Sequence, residues 1–205
     1  MTAAVFWNKL ARRYAARPVA DIPAYEATLD HVRRYLAPNQ NVIEVGCGTG
    51  STALVLAENA ARYTGTDFSS EMIAIAREKL TKNPLSSLDF AETGATLDTE
   101  ADASRDVVLG FNLYHLVPDL DASLSAAHRV LKPGGLFITK TPCIASMWYI
   151  RPIIGAMRLV GKAPGVLYLT PEAYDKAIER AGFEIIEASF YGKGKTNRFV
   201  VARKP

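Results

Sequence analysis

A glycine-rich turn is the part of the sequence whose residue types and spacing point most directly to ligand chemistry. Residues 41–45 form a β-rich run that leads into Gly46, Gly48 and Gly50. Glycines at this spacing let the backbone turn tightly at a sheet edge and approach a ligand without a Cβ clash. The turn predicts a small-molecule site, although glycine turns also serve helix packing and phosphate binding.

An acidic residue, Asp67, ends the next predicted strand, residues 62–67. It is expected beside the glycine turn, where a carboxylate can accept hydrogen bonds from both hydroxyls of a ribose. The alternative is that Asp67 only caps the following helix, but Ser69 and Ser70 can provide that cap. We therefore predict an adenosine-containing ligand.

The elements that must position these residues alternate between strand and helix. After a helical N-terminal segment broken by Pro18 and Pro23, further elements are indicated by hydrophobic periodicity and turn residues. The predicted strands are 41–45, 62–67, 88–92, 106–111 and 136–141, and the predicted helices are 51–60, 70–80 and 120–131. This order predicts an α/β fold with a doubly wound, seven-stranded, mostly parallel, Rossmann-like sheet.

The C-terminal part is predicted to begin with a helix at Pro171, with Thr170 as its N-cap. Strands at 183–190 and 197–202 follow without a helix between them, which predicts antiparallel pairing. The length of 205 residues fits one domain. Its predicted parts are a helical cap (1–38), a cofactor-binding core (40–141), an insertion after the fifth strand (143–169) and a C-terminal helix with a strand pair (170–205).

Four motifs in order resemble those of class I S-adenosylmethionine-dependent methyltransferases, above all the small-molecule branch that includes quinone-biosynthesis enzymes. Residues 42–50 resemble the first motif, residues 65–72 the second, and residues 111–116 and 131–135 later ones. The resemblance covers roughly residues 40–141. It implies S-adenosylmethionine as the cofactor.

The resemblance also implies roles for residues of the glycine turn. Gly46, Cys47 and Gly48 would line the methionine part of the cofactor, and Gly50 would also belong to the cofactor-binding residues. Glu44 would orient the loop or reach the cofactor's ammonium group through water.

Beyond the turn, the resemblance implies that Asp67 holds the ribose while Phe68 and Met72 border adenine. Met72 is equally compatible with a place in the helix's apolar core stripe. Asn112 and Leu113 would offer backbone carbonyls near the ammonium and sulfonium groups.

The sequence departs from the family after the third strand, where many relatives carry Gly-Asp-Ala and this chain has Thr93, Gly94 and Ala95. The backbone at Gly94 and Ala95, or the carboxylate of Glu92, is expected to replace the missing adenine contact. In the cap, Tyr14 resembles a tyrosine that closes over the cofactor's methionine end, and the alternative is that it only anchors the cap.

His115 is the candidate catalytic base, because it follows the fourth strand at the ligand-binding edge. A packing role is the alternative. His31 and His128 fall in helices away from that edge, and Cys47 and Cys143 lack a metal-ligand spacing. We predict no metal.

Charge and composition limit the partners. The net charge of +3 with dispersed Lys and Arg does not indicate nucleic-acid binding. Two cysteines and no leader pattern predict a cytoplasmic protein. The apolar residues 143–169 are interrupted by charges and prolines, so we expect no membrane span but leave peripheral membrane contact open.

The predicted reaction is in-line methyl transfer to a small acceptor, with residues 143–169 as a cover that selects an apolar or lipid-like molecule. The alternative for this segment is that its apolar residues only complete the core. Two alternative functions remain from the residues alone: a nicotinamide-dependent oxidoreductase, and a non-catalytic module that binds S-adenosylmethionine.

Overall fold

The computed structural model describes residues 3–192, 194 and 196–205. Its α-helices are α1 (Ala3–Ala15), α2 (Ile22–Arg33), α3 (Ser51–Leu56), α4 (Ser70–Lys82), α5 (Leu120–Val130), α6 (Arg151–Leu159) and α7 (Pro171–Arg180). Its strands are β1 (Asn41–Val45), β2 (Arg62–Asp67), β3 (Leu88–Glu92), β4 (Arg105–Phe111), β5 (Leu131–Pro142), β6 (Glu184–Tyr191) and β7 (Asn197–Arg203). Short 3₁₀ helices lie at Ala57–Asn59 and Trp148–Ile150.

The seven strands form one sheet in the order β3-β2-β1-β4-β5-β7-β6. Strands β1 to β5 are parallel, whereas β7 pairs antiparallel with both β5 and β6. Helices connect β1 to β2, β2 to β3 and β4 to β5, because a parallel pair needs a crossover, whereas β6 and β7 follow each other without a helix and pair antiparallel. The predicted fold class is confirmed.

The core lies on both faces of this sheet. On β4, Val108 packs with α5 and α7 on one face, while Val107 and Leu109 pack with α2, α3 and α4 on the other. All three valine and leucine side chains are fully buried. Covering both faces leaves the edge at the carboxyl ends of the parallel strands as the open place for a ligand.

Strand β5 begins earlier than the sequence predicts. The predicted strand begins at residue 136, after a Lys-Pro-Gly-Gly sequence that is typical of a turn, but Leu131 already pairs with Arg105. The register then shifts so that Leu136 pairs with Val107. The extra residues bulge out of the strand at Gly134, whose φ of 77° suits glycine. Helix α3 is also shorter than expected, because the chain continues as a 3₁₀ turn after Leu56.

Hydrogen bonds fasten both helices of the N-terminal cap to the core. Asn8 of α1 accepts a hydrogen bond from the Ser69 hydroxyl at 2.6 Å, beside the start of α4. His31 of α2 reaches the edge strand β6, where its Nε2 lies 3.0 Å from a carboxylate oxygen of Glu187. The cap therefore bridges the sheet edge from the glycine turn to the C-terminal strands.

Cys143 is the one buried residue in the insertion after β5, residues 143–169, all of which the structure describes. The insertion contains the 3₁₀ turn at Trp148–Ile150 and α6, and neither has a buried residue. Backbone hydrogen bonds tie the segment to the rest of the chain: the Leu167 amide donates to the His115 carbonyl, and the Cys143 amide donates to the Thr196 carbonyl. Among the described residues, no helix combines the length and apolar character needed to cross a bilayer.

Candidate functional site

The glycine turn after β1 has three residues in the left-handed region, with φ values of 67° at Gly46, 55° at Gly48 and 73° at Gly50. A Cβ at Gly46 would lie 2.6 Å from the Leu113 side chain, whereas a Cβ at Gly48 would meet nothing within 4 Å. Space beside Gly48 is therefore available to a ligand that approaches the backbone closely.

Gly50 serves a different purpose from the one predicted. A Cβ there would lie 2.6 Å from the Phe90 ring and 2.9 Å from Ala76. The residue lets helix α3 start against β3 and α4, and it does not line the cavity described below. Helix packing, one of the two uses of such a turn, explains this glycine.

Asp67 links the end of β2 to the glycine turn. Its Oδ2 accepts a hydrogen bond from the Gly48 amide at 3.0 Å, and its Oδ1 accepts one from the Ser69 amide at 2.9 Å. Burial raises the pKa of this carboxyl, while the hydrogen bonds from the backbone oppose that rise. Each carboxylate oxygen has a further lone pair, which a ribose hydroxyl can use.

The helix after Asp67 does not depend on it for a cap. Ser69 is the N-cap residue of α4, and its hydroxyl accepts a hydrogen bond from the Met72 amide at 3.2 Å. The carboxylate is therefore left facing the glycine turn. This arrangement favours the ribose role over the capping alternative.

These groups border a cavity of about 560 Å³ at the carboxyl edge of the sheet. Its wall combines α1, the glycine turn, the ends of β2 and β3, the loop after β4 and the first turn of α5. The lining residues are Ala3, Trp7, Tyr14, Val45, Gly46, Gly48, Asp67, Phe68, Thr93, Gly94, Ala95, Thr96, Phe111, Asn112, Leu113, Leu116, Val117, Pro118, Asp119, Ala122 and Ser123.

The structure brings most of the sequence-predicted cofactor residues together at this cavity. The predicted residues in its wall are Tyr14, Gly46, Gly48, Asp67, Phe68, Gly94, Ala95, Asn112 and Leu113. The predicted residues outside its wall are Glu44, Cys47, Gly50, Met72 and His115. Glu92 also lies outside the wall, so of the two candidates for replacing the missing adenine contact, the backbone at Gly94 and Ala95 is the one at the cavity.

Glu44 and Cys47 point away from the cavity. The Glu44 carboxylate is buried, accepts a hydrogen bond from the Tyr63 hydroxyl at 2.7 Å, and has its pKa raised to about 7 by burial. Cys47 is also buried, with its Sγ 3.1 Å from where a Gly65 Cβ would stand. Both side chains pack between β1 and β2, so any role at the ligand runs through the backbone they position.

Met72 lies in a small apolar cluster with Ala11 and Ile75, where α1 packs on α4. It is 3% exposed. This position does not support the predicted contact with adenine. The alternative, that Met72 packs in the core from the apolar face of α4, explains its burial.

His115 belongs to the loop after β4 but is not part of the cavity wall. Its Nδ1 is buried without a hydrogen-bond partner among the described residues, and burial lowers the pKa of the imidazole to about 4. The ring is therefore neutral at pH 7. Its catalytic role stays a prediction that the geometry does not favour.

The sequence did not identify the far wall of the cavity, which is formed by Leu116, Val117, Pro118 and Ala122. These residues lie in the loop after β4 and in the first turn of α5. The available signal was their position after a buried strand, because loops at that edge meet at the ligand site of a doubly wound sheet. Trp7 is another lining residue that was not predicted; it lies beside Tyr14, with their ring centroids 6.2 Å apart.

Comparisons with known proteins agree with this geometry. The chain matches a family described as a methyltransferase domain over residues 43–139. It is 31% identical over 207 residues to the ubiquinone/menaquinone biosynthesis C-methyltransferase UbiE of Brucella abortus, across 87% of this chain and 76% of that protein. It is also 27% identical over 186 residues to the highly reducing polyketide synthase g433 of a Fusarium species.

That second match covers 80% of this chain, but the chain spans only 4% to 7% of the length of the polyketide synthases that it matches. A possible histamine N-methyltransferase from Thermotoga maritima has the same fold, with a TM-score of 0.72, 21% identity and coverage of 98% of this chain and 99% of that one. The family match and the relative from Brucella abortus favour methyl transfer over the nicotinamide-dependent alternative that the glycine turn left open.

Proposed function

The chain belongs to the class I S-adenosylmethionine-dependent methyltransferases, and we propose that it methylates a small, apolar or lipid-like acceptor. The observation that carries this proposal is the exposed apolar surface of residues 143–169, at the sheet edge where the cofactor residues lie. The relative from Brucella abortus is named for ubiquinone and menaquinone biosynthesis, and this name agrees with an apolar acceptor.

The residues at the large cavity fit S-adenosylmethionine. Open space at Gly48 admits a ligand against the backbone, and the Asp67 carboxylate stands beside it with lone pairs for the ribose hydroxyls. Phe68 and Ala95 line the same wall, where adenine would follow the ribose. When bound, S-adenosylmethionine supplies a methyl group on a positively charged sulfur, which is already activated for displacement.

In such a reaction the protein aligns the acceptor with the methyl group and excludes water from the site. The acceptor's electron pair forms the new bond to carbon, while the pair of the broken sulfur–carbon bond stays on sulfur. Alignment of this kind can supply a large part of the rate without a covalent nucleophile. Leu113, Leu116 and Val117 provide an apolar wall that keeps water from the cavity.

The surface of residues 143–169 has the composition of a segment that contacts lipid. Trp148 is 74% exposed, Ile153 58% and Leu159 91%. The segment contains no Asp or Glu, and its charged residues are Arg151, Arg158 and Lys162. The alternative that these apolar residues fill the core has no support from α6, since none of its residues is buried.

Exposed aromatic and aliphatic side chains with cations and no acids suit the headgroup region of an anionic membrane. Each Lys or Arg near such a surface contributes on the order of 1 kcal/mol of binding free energy. The proposed place of action is the cytoplasmic face of a membrane, where the free thiols of Cys47 and Cys143 stay reduced. A lipid-like acceptor would be taken from that face.

The direct test is to incubate the purified protein with methyl-labelled S-adenosylmethionine and a total cell extract, and then to separate organic-soluble from water-soluble molecules. We expect label in the organic-soluble fraction, and the Asp67→Ala variant as the cofactor-deficient control should lose it. Label that accumulates only in water-soluble molecules, protein or RNA would overturn the proposed acceptor class.

A further inference from the structure

A second cavity, of about 200 Å³, lies on the other side of the loop after β4. Asn112 lines both cavities. Its backbone has a φ of 55°, and its backbone N–H donates to the Lys140 carbonyl at 2.7 Å. Strand β5 therefore holds this residue between the two cavities. An acceptor reaching from the second cavity toward Asn112 would approach the cofactor cavity.

The second cavity is lined by polar groups from distant parts of the chain. Asp21 and Tyr25 come from the start of α2, Lys140 from β5 and Asn197 from β7. Lys140 is partly buried, and its ammonium donates to the Thr28 hydroxyl at 3.0 Å. Within the described part of the chain, no carboxylate oxygen lies within 4.0 Å of that ammonium nitrogen.

A partly buried lysine without an ion-pair partner costs stability, because its charge loses water and gains only a weak hydrogen bond. Burial lowers the pKa of Lys140, while the charge of Asp21 opposes that fall. The charge of Asp21 is itself offset locally. Its Oδ1 accepts a hydrogen bond from the Ala24 amide at 3.1 Å at the positive N-terminus of α2.

Two side-chain amides add hydrogen-bond donors to the same cavity. Asn112 and Asn197 both line it. Among the residues that the structure describes, neither side-chain Nδ2 donates a hydrogen bond to another group. An ammonium group with two amide donors suits an oxygen anion, since charge-assisted hydrogen bonds to such an atom are about twice as strong as neutral ones.

We propose that this second cavity binds an anionic oxygen of the methyl acceptor, with Lys140 as its cationic partner. The proposal rests on the proposed function and adds a chemical class to it: an acceptor with an apolar body and an ionised enol, phenol or carboxyl oxygen. The acceptor binds already ionised, with its proton released to bulk water. For methyl transfer to that ionised oxygen, the wall of the large cavity needs no histidine as a base, consistent with the position of His115 outside it.

The test uses 4-nitrophenol as the probe, because its phenolate absorbs visible light and its phenol does not. The absorbance is measured at a pH near the probe's own pKa, with S-adenosylhomocysteine present. The wild-type protein should shift the probe toward the phenolate, and Lys140→Met should weaken phenolate binding about tenfold or more. Lys140→Arg should retain the shift, and so should the exposed-lysine control Lys176→Met.

A second variant separates anion binding from a merely structural tether. Thr28→Val removes the hydroxyl that Lys140 contacts but keeps the charge, so the phenolate shift should survive. An equal loss in Thr28→Val and Lys140→Met would assign Lys140 to a tether and overturn the proposal. An absent shift in the wild-type protein would overturn it as well.

The result of the 4-nitrophenol test can be distinguished from the result of the labelling test for the acceptor class. If the probe shift depends on Lys140 while no label enters organic-soluble molecules, the anion site stands and the apolar acceptor fails. If organic-soluble molecules are labelled equally by wild-type and Lys140→Met protein and the probe shows no shift, the anion site fails and the proposed function stands.

Discussion

The glycine turn after β1 and the segment of residues 143–169 lie at the same edge of the sheet, yet they are built in opposite ways. The turn is held by backbone geometry: the Cys47 amide donates to the Thr66 carbonyl at 2.8 Å, and the Gly48 amide donates to Asp67. The insertion instead presents exposed side chains, and its helix α6 buries none of them.

This difference separates two tasks. A cofactor common to a whole family can be held by a fixed backbone cradle, since the same molecule must be bound each time. Under the proposed function, the acceptor is selected by side chains of residues 143–169, because binding residues are often placed on connecting segments that a rigid sheet positions. Changes in the turn should therefore alter folding and cofactor affinity, and changes in residues 143–169 should alter acceptor use.

The largest expected effect comes from adding one methyl group in each region. Gly50→Ala places a Cβ at a φ of 73° against Phe90 and Ala76, so it should lower the free energy of unfolding by about 2–5 kcal/mol. Gly155→Ala meets nothing within 4 Å inside α6, so it should raise that free energy by about 0.5–1 kcal/mol. Denaturant unfolding measures both changes in free energy. Equal changes in the two variants would contradict the difference proposed between the glycine turn and the insertion.

The next effect is a pH dependence of the free energy of unfolding, caused by the buried carboxyl of Glu44 just before the glycine turn. The pKa of Glu44 rises from 4.5 to about 7 on burial, so the folded state favours its protonated form. That contribution is fully present below pH 4.5 and is lost as the pH rises to about 7. The loss is on the order of 3 kcal/mol at most.

Glu44→Gln keeps an acceptor for the Tyr63 hydroxyl and removes the charge. Relative to this variant, the wild-type protein should lose stability between pH 4.5 and 7. The difference between the two proteins is the informative quantity, because the depressed pKa of His115 contributes with the opposite sign in both. A constant difference across that range would show that Glu44 does not titrate there.

A comparable effect on ligand binding is expected at Asp67. Asp67→Ala should weaken binding of S-adenosylhomocysteine by roughly 1.5–3 kcal/mol, the value of hydrogen bonds to a charged group. Ser69→Ala removes the cap of α4 and the hydrogen bond that holds Asn8 of α1, so it should lower stability by about 1 kcal/mol and weaken binding less than Asp67→Ala does. Calorimetry on both variants decides the assignment, and unchanged affinity in Asp67→Ala would return that residue to the capping role.

The smallest expected effect concerns the cap. Tyr14 lines the large cavity and is 45% exposed, and the pKa of its phenol is raised by burial and by the charge of Asp67. If α1 closes over the cofactor, S-adenosylhomocysteine should slow amide exchange in Ala3–Ala15. Equal exchange rates with and without the ligand would leave Tyr14 as an anchor of the cap.

Much of this fold follows from the sequence, because hydrophobic runs and turn residues mark each element. The bounds of β1, β2 and β3 agree with prediction, and the Thr170 cap of α7 was visible from the Thr-Pro-Glu sequence. The predicted start of β5 was too late. The strand already pairs at Leu131, and the residues before Leu136 form a bulge at Gly134 within the strand.

The site was less predictable, because a motif places a residue at the sheet edge without fixing the direction of its side chain. Glu44 and Met72 both belong to motif segments, and both side chains point into the protein. The second cavity is harder still to find, since Asp21, Lys140 and Asn197 meet only through the cap and the antiparallel strands. No local sequence pattern connects them.

The measurement that tests the account most directly is kcat/KM for the organic-soluble acceptor in the double variant Trp148→Ala, Leu159→Ser, with Val55→Ser as an exposed apolar control on α3. Affinity for S-adenosylhomocysteine and melting temperature are measured on the same samples. The account predicts that kcat/KM falls about tenfold or more in the double variant alone while affinity and melting temperature hold. Unchanged kcat/KM in the double variant, or a parallel loss of stability, would contradict the claim that residues 143–169 select the acceptor.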